Sequence, residues 1–412
     1  MKSDLTAVII GGSHAASQLI PGLRQEGWEG RIIVVSDEQQ LPYHRPPLSK
    51  TYLSGEKTTE GLLIRKAPAY EKLGVEWLLN TRAENIDRGN KTVYLGNGGE
   101  LKYDKLAICT GARVRKMNIN GASLRGIHYL RNLADAENIR KDIKHGRRAV
   151  IIGGGFIGLE TAAMLRKLGM AVDVLVHSHR ILRRVTAGQV SDFYTRIHTE
   201  EGVQIHTNEI PDCFEGEDRV KSVICASGKR FLADLVIIGI GVIPNTELAE
   251  ACGLSVNDGI VVDEYAATEE DRDIVAAGDC ARHPNGIYNR LLRLESVPNA
   301  TEQAMTAAAT ICGKIKPYKS VPWFWSDQYD LKLQMVGVND DYDKVYIRGD
   351  MENSRSFVAW YFNRGKLVAA DCVNRPLEFR IAQQMLRDSK SLSPEQLVDE
   401  GLEAKQLLEL VK

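Results

Sequence analysis

A strand, a glycine-rich turn and a helix follow one another twice in this chain, about 140 residues apart, and no other feature narrows the fold as far. The first copy runs from the apolar residues 7–10 through Gly11-Gly12-Ser13-His14-Ala15-Ala16 into a helical stretch reaching Leu23. The second runs from residues 148–152 (Arg-Ala-Val-Ile-Ile) through Gly153-Gly154-Gly155-Phe156-Ile157-Gly158 into helical residues 159–168. A glycine and a second apolar strand, 31–35 and 171–176, come after each helix. Each copy reads as the βαβ opening of a doubly wound parallel sheet, whose first turn can hold a pyrophosphate. Two openings predict two nucleotide-binding domains, an arrangement suited to passing electrons between a resident cofactor and a diffusible one.

Further strands end where open α/β sheets bind ligands, at a glycine or small polar residue: 106–108 before Cys109-Thr110-Gly111, 235–240 before Gly241, and 274–277 before Gly278-Asp279. Beyond Pro317 the pattern changes. Strand-like segments at 334–338, 344–348, 357–362 and 366–371, then a helical tail over 394–410, predict a small third domain. A chain of 412 residues is too long for one core, which agrees with that division.

Charge excludes some functions. With 53 Lys+Arg against 54 Asp+Glu, the chain has neither the basic footprint of a nucleic-acid binder nor an acidic tail. No apolar run approaches the roughly 20 residues of a membrane span, and the first residues lead directly into a strand, so a cytoplasmic location is expected. The seven cysteines are scattered, without a Cys-x-x-Cys, and read as free buried thiols. An internal dithiol relay is therefore not expected. Of the nine histidines only the pair His177-x-His179 shows ligand spacing; it reads as a solvent-facing loop, and no metal site is predicted.

The second glycine cluster fits the dinucleotide fingerprint: Gly153 for the tight turn, Gly155 for approach of the pyrophosphate, Gly158 for helix–strand packing. In the first cluster Gly11 holds the first position, but Ser13 and Ala16 replace the other two glycines. Asp37 and Glu38 follow the next strand at the spacing of an acid that binds ribose hydroxyls.

Several longer strings resemble the FAD-dependent ferredoxin reductases of bacterial oxygenase systems. They are Pro42-Tyr43-His44-Arg45-Pro46-Pro47-Leu48-Ser49-Lys50, Thr110-Gly111, 153–160, Gly278-Asp279-Cys280-Ala281, Glu295-Ser296-Val297-Pro298-Asn299-Ala300, Pro322-Trp323-Phe324-Trp325-Ser326-Asp327-Gln328 and Val373-Asn374-Arg375-Pro376. The resemblance reaches about residue 380 and leaves the last 30 or so outside it. It implies a glutathione-reductase-like α/β fold: a discontinuous FAD-binding domain (1–112 and 240–318), an NAD(P)-binding domain (113–239) and a small C-terminal α+β domain (319–412).

On residues, the resemblance implies that FAD is held by Gly11, Ser13, Ala15, Asp37, Arg45, Lys50, Ala83, Thr110, Gly111, Arg131, Asp279, Val297 and Trp325. Arg131 and Ala83 would serve its adenosine portion, Asp279 the ribityl chain, and Trp325 the flavin. NAD(P) would take Gly153, Gly155, Ile157, Gly158, Glu160, Val176, His177, Arg183, Arg184 and Gly241. Lys50, paired with Glu160, and Trp325 would form the flavin environment, with no side-chain nucleophile. NADH is the implied donor, with NADPH as the alternative, because Val176 stands where an acid normally accepts the adenosine ribose. The implied acceptor is a transiently bound [2Fe-2S] ferredoxin that serves a cytochrome P450 or ring-hydroxylating oxygenase. Arg65, Arg290, Arg293 and Lys332 are candidate docking charges. The alternatives are an NADH oxidase or a nucleotide-responsive flavin redox sensor.

Overall fold

The structure, a computed structural model, describes residues 4–144 and 146–411. The chain divides into two compact units, one of residues 1–44, 60–113 and 243–322, the other of 45–59, 114–242 and 323–412.

The first unit is built on a five-stranded parallel sheet in the order Ile274–Ala276, Lys105–Ile108, Thr6–Ile10, Arg31–Val35, Val75–Leu78. Its strands are nearly all apolar because both faces are covered, with Ile9, Val34 and Ala107 in one core and Val8, Ile33 and Leu106 in the other. The helix His14–Glu26 packs on the helix Val297–Ile311. Small residues make that approach close: a side chain on Gly22 would meet Ala308 and Met305.

The second unit holds, among smaller sheets, two five-stranded ones. One is parallel, in the order Val203–Thr207, Ala171–Val176, Arg148–Ile152, Leu235–Ile238, Ile127–Tyr129. The apolar run 235–240 stops being a strand at Ile238, where Gly239 turns back to hydrogen-bond the Ile152 carbonyl. The other sheet is antiparallel, in the order Trp323–Gln328, Leu331–Gly337, Lys366–Val373, Phe357–Asn363, Lys344–Arg348. Its core joins that of the parallel sheet through Phe193, Tyr194, Phe357 and Tyr361.

The tail is not one helix. After Pro376–Asp388, a helix not expected from the pattern, come two short ones, Pro394–Val398 and Ala404–Val411. Ser393 and Gln396 form a capping box on the first of these. The break persists because buried Arg348 takes its carbonyls, donating to Asp399 and Leu402 at 2.6 Å each.

Candidate functional site

In the first unit, Gly11 leaves its strand at φ +109°, and a β-carbon there would run into the carbonyl of Cys109. Only glycine accepts both conditions. The following helix starts at His14 with no side-chain cap and no acid in its first turn, and the helix starting at Val297 likewise carries no acid there. Gly278, at the end of its strand, lies between them: a side chain on it would stand 3.6 Å from the Ala15 methyl and 3.5 Å from that of Ala300. Two helix N-termini thus converge on strand ends through small residues, a geometry that favours a bound anion. Thr110 and Gly111 join them, clamped by Asn245, which donates to the Thr110 carbonyl at 2.8 Å while its own carbonyl accepts from Thr110 Oγ1 at 2.7 Å. Asp37 is exposed beyond Val35, whereas Glu38 accepts from Tyr43. Asp279 follows Gly278, and Ala83 is buried at a strand start. This cradle of glycines, small residues and acid-free helix starts fits the pyrophosphate of a dinucleotide.

The second unit repeats the motif. Gly153, at φ +115°, would collide through a β-carbon with the Gly239 carbonyl, and Gly158 with the carbonyl of Gly153. A β-carbon on Gly155 would meet nothing within 4 Å. Gly155 is the N-cap of the helix Phe156–Lys167, which has no side-chain cap and no acid in its first turn. Open space before bare helical N–H groups is what a pyrophosphate needs, so these residues fit a second nucleotide. Ile157 is exposed beside them, as are His177, Arg183 and Arg184, and Arg184 Nη2 comes 3.8 Å from where a Gly241 side chain would begin. Val176 is different: it is only 4% exposed. Arg180 is internally engaged, donating to the carbonyls of Arg183, Thr186 and Ala187.

The same unit brings together residues that lie 110 apart in the chain. Lys50 Nζ donates to Glu160 Oε2 at 2.5 Å, with the Lys50 side chain 17% exposed and that of Glu160 3%. Ser49 Oγ donates to the same oxygen at 2.6 Å, and Ser326 Oγ donates to Glu160 Oε1 at 2.7 Å. A buried carboxylate with one ammonium and two hydroxyl donors is satisfied on both oxygens. Beside it opens a cleft of about 570 Å³ whose walls include Lys50, Glu160, Lys167, Glu201, Gln328 and Tyr329. Trp325, on the opposite strand face to Ser326, is half-buried with its ring 5.6 Å from that of Trp323. Arg45 donates to the carbonyl of Arg131 at 2.9 Å.

Asn245, Ser49, Ser326, Gln328 and His198 escaped the sequence reading. Ser49, Ser326 and Gln328 lie within strings quoted for the resemblance, and the alternation 326/328 places both on one strand face. Asn245 and His198 carry no local signal. Two docking candidates are occupied: Arg65 donates to the Ser17 carbonyl, and Arg293, 12% exposed, pairs with Glu295 and Asp258. Lys332 is exposed. All seven cysteines are free thiols, and among the described residues no group of three or more His, Cys, Asp or Glu could hold a metal. No helix of the described residues is long and apolar enough to cross a membrane.

Comparison with known proteins places these features. Residues 5–304 match the family described as pyridine nucleotide-disulphide oxidoreductase, and 323–408 match one described as reductase C-terminal. Putidaredoxin reductase of Pseudomonas putida is 42% identical, with 100% of this chain and 99% of that protein covered. The ferredoxin–NAD(+) reductase component of the anthranilate 1,2-dioxygenase system of Burkholderia cepacia is 36% identical, covering 95% and 96%. The crystal structure of the covalent putidaredoxin reductase–putidaredoxin complex superposes with a TM-score of 0.96 at 42% identity, covering 99% of each chain. The likeness therefore does not stop near residue 380: the tail belongs to it, hidden by its broken helical pattern. With both nucleotide turns, the C-terminal sheet and full-length identity of this order, the chain belongs to the pyridine nucleotide-disulphide oxidoreductase family, among the ferredoxin reductases of oxygenase systems.

Proposed function

We propose that this protein takes reducing equivalents from NADH, with NADPH as a usable substitute, and delivers them through FAD to a [2Fe-2S] ferredoxin serving a cytochrome P450 or ring-hydroxylating oxygenase. The observation that carries the reading is the pair of glycine cradles in a chain whose cysteines are all free and scattered. Two nucleotides with no dithiol relay leave an external acceptor as the destination for electrons.

FAD, when bound, supplies the conversion of a two-electron donation into single-electron steps. The chain's own residues bind and orient. Gly11, Ser13 and Ala15 would receive the FAD pyrophosphate at the first helix start, Asp37 the ribose hydroxyls, and Asp279, with Val297, the part nearer the flavin. Gly153, Gly155 and Gly158 would receive that of the nicotinamide nucleotide. Lys50 holds a positive charge whose position is set by Glu160, and the buried carboxylate keeps that ammonium from wandering into the cleft. Trp325 would supply an apolar wall that excludes water. We keep the division into FAD-binding (1–112 and 240–318), NAD(P)-binding (113–239) and C-terminal (319–412) domains as part of this proposal, together with a cytoplasmic location.

The test is direct. The purified protein should be yellow, contain FAD and be bleached rapidly by NADH. Cytochrome c reduction should then depend on added ferredoxin. Asp279→Ala should weaken flavin retention by about 1.5–3 kcal/mol, the worth of a charge-assisted hydrogen bond. A folded, colourless protein that takes up no FAD would sink the reading. Rapid oxygen consumption without any ferredoxin would favour an oxidase instead, and a flavin that neither nucleotide bleaches would favour a sensor.

A further inference from the structure

The Lys50–Glu160 pair is the end of a longer chain of hydrogen bonds. Ser326 Oγ, which donates to Glu160, accepts from Gln328 Nε2 at 3.1 Å. Gln328 Oε1 faces His198 Nε2 at 2.8 Å, and His198 Nδ1 faces the Tyr329 hydroxyl at 3.1 Å. Ser326 and His198 are fully buried, and Gln328 is 2% exposed. Three separate elements supply these groups: the strand Trp323–Gln328, the helix Gly188–Glu200 and the turn residue Tyr329.

Donor and acceptor chemistry leaves this chain one polarity. An ionised Glu160 only accepts, so Ser326 must give it its single proton. Ser326 can then only accept from Gln328, which turns the amide nitrogen toward the serine and the amide oxygen toward His198. That oxygen demands a proton on Nε2 of His198. The remaining ring nitrogen, Nδ1, is left as an acceptor for Tyr329. Tyr329 stands in a left-handed turn at φ +55°, its ring edge-on to the imidazole with centroids 5.1 Å apart. Burial drives the imidazole down to about 4, so it stays neutral at working pH and the polarity does not reverse.

We propose that Ser326, Gln328 and His198 are positioning residues for the Lys50–Glu160 pair, a series of aligned donors that fixes the glutamate carboxylate and through it the location of the lysine charge. They touch neither cofactor in this account; they act through Glu160. The inference rests on the reductase reading above in giving the lysine charge a role in flavin reduction, while the alignment of the donors does not depend on it.

Two measurements test it. In holoenzyme labelled with ¹⁵N-histidine, His198 should show the Nε2-protonated neutral tautomer, unchanged between pH 6 and 9. An Nδ1-protonated or titrating ring would overturn the chain. In stopped-flow reduction by saturating NADH, Ser326→Ala and Gln328→Leu should each slow flavin bleaching about tenfold with little change in KM, the scale expected for losing one bond to a charged group. Ser326→Thr, which keeps the hydroxyl, should restore most of the rate. Because the residues act in series, Ser326→Ala/Gln328→Leu should be no slower than the slower single variant. Wild-type rates in variants that retain FAD, or fully additive losses, would overturn the proposal. Should a variant fail to fold, the tautomer measurement on the unsubstituted protein still decides. A wild-type flavin that NADH does not reduce would instead count against the reductase reading.

Discussion

The methyl groups of Val176 lie 3.0 and 3.2 Å from the point where a side chain on Gly154 would begin, so the last residue of the second nucleotide strand packs against the glycine turn. In that position a carboxylate normally accepts the adenosine ribose and repels a 2′-phosphate. Valine removes the repulsion, while His177, Arg183 and Arg184 stand exposed just beyond it.

Discrimination between the two nicotinamides should therefore be modest. A preference for NADH in kcat/KM below about a thousandfold, roughly 4 kcal/mol, is expected. Val176→Glu should raise that preference, and Arg183→Ala should lower the use of NADPH. A ratio indifferent to both changes would place the adenosine elsewhere.

Removing one member of the buried ion pair should cost more than the pair contributes. Glu160→Gln removes the negative charge and leaves the Lys50 ammonium with neutral acceptors alone: the new amide oxygen, and Ser49 Oγ and the Pro46 carbonyl, both at 3.3 Å. Breaking a buried pair costs about 3–5 kcal/mol, and the adjoining cleft should keep this case at about 3. Thermal unfolding of the holoprotein should show the loss, and stopped-flow bleaching by NADH should slow with it. An unchanged melting temperature would mean that Lys50 simply relaxes into the cleft.

Asp371 should make stability fall as pH rises. It is 2% exposed, and burial raises its carboxyl to about 7 although the Tyr361 hydroxyl, donating to it at 2.5 Å, pulls the other way. An unfolded aspartate titrates at about 3.9. The folded state therefore holds the proton more tightly, and this contribution is complete below about pH 4 and lost as pH rises through about 7. Relative to wild type, Asp371→Asn should gain about 3 kcal/mol between pH 5 and pH 8. Calorimetry at the two pH values decides, and an equal difference at both would show that Asp371 is not the titrating group. The same tyrosine accepts the Ala187 N–H at 2.9 Å and Asn339 donates to the Val185 carbonyl, so the C-terminal sheet also anchors the loop that carries Arg183 and Arg184.

Ferredoxin reduction should slow with added salt if docking is steered by charge, since ions screen the encounter. The net charge of −1 offers no global attraction, so a local cation must supply it. Lys332 is exposed, whereas Arg293 is held by Glu295 and Asp258. Lys332→Glu is accordingly expected to lower kcat/KM for an acidic ferredoxin several-fold and leave reduction of a neutral quinone alone. Arg293→Ala should act on stability instead. A ferredoxin rate flat from low to high salt would remove the steering.

What the sequence determined by itself is what short stretches decide locally. A turn that must run at positive φ against a carbonyl accepts only glycine, so Gly11 and Gly153 announce it without any knowledge of the rest. Strands covered on both faces must be apolar where they are covered, so 32–35 and 149–152 are legible as runs. The tertiary structure decided everything that depends on which distant groups meet. Arg65, Arg293 and Lys332 are alike as sequence, yet folding consumes the first two in internal bonds and leaves the third in water. The tail pattern could not reveal its own break, because the arginine that stabilises the exposed carbonyls, Arg348, comes from a strand some 50 residues earlier. Ser326, Gln328 and His198 are ordinary polar residues along the chain. Only burial, which forbids water as a partner, forces them into a single line of donors ending on Glu160.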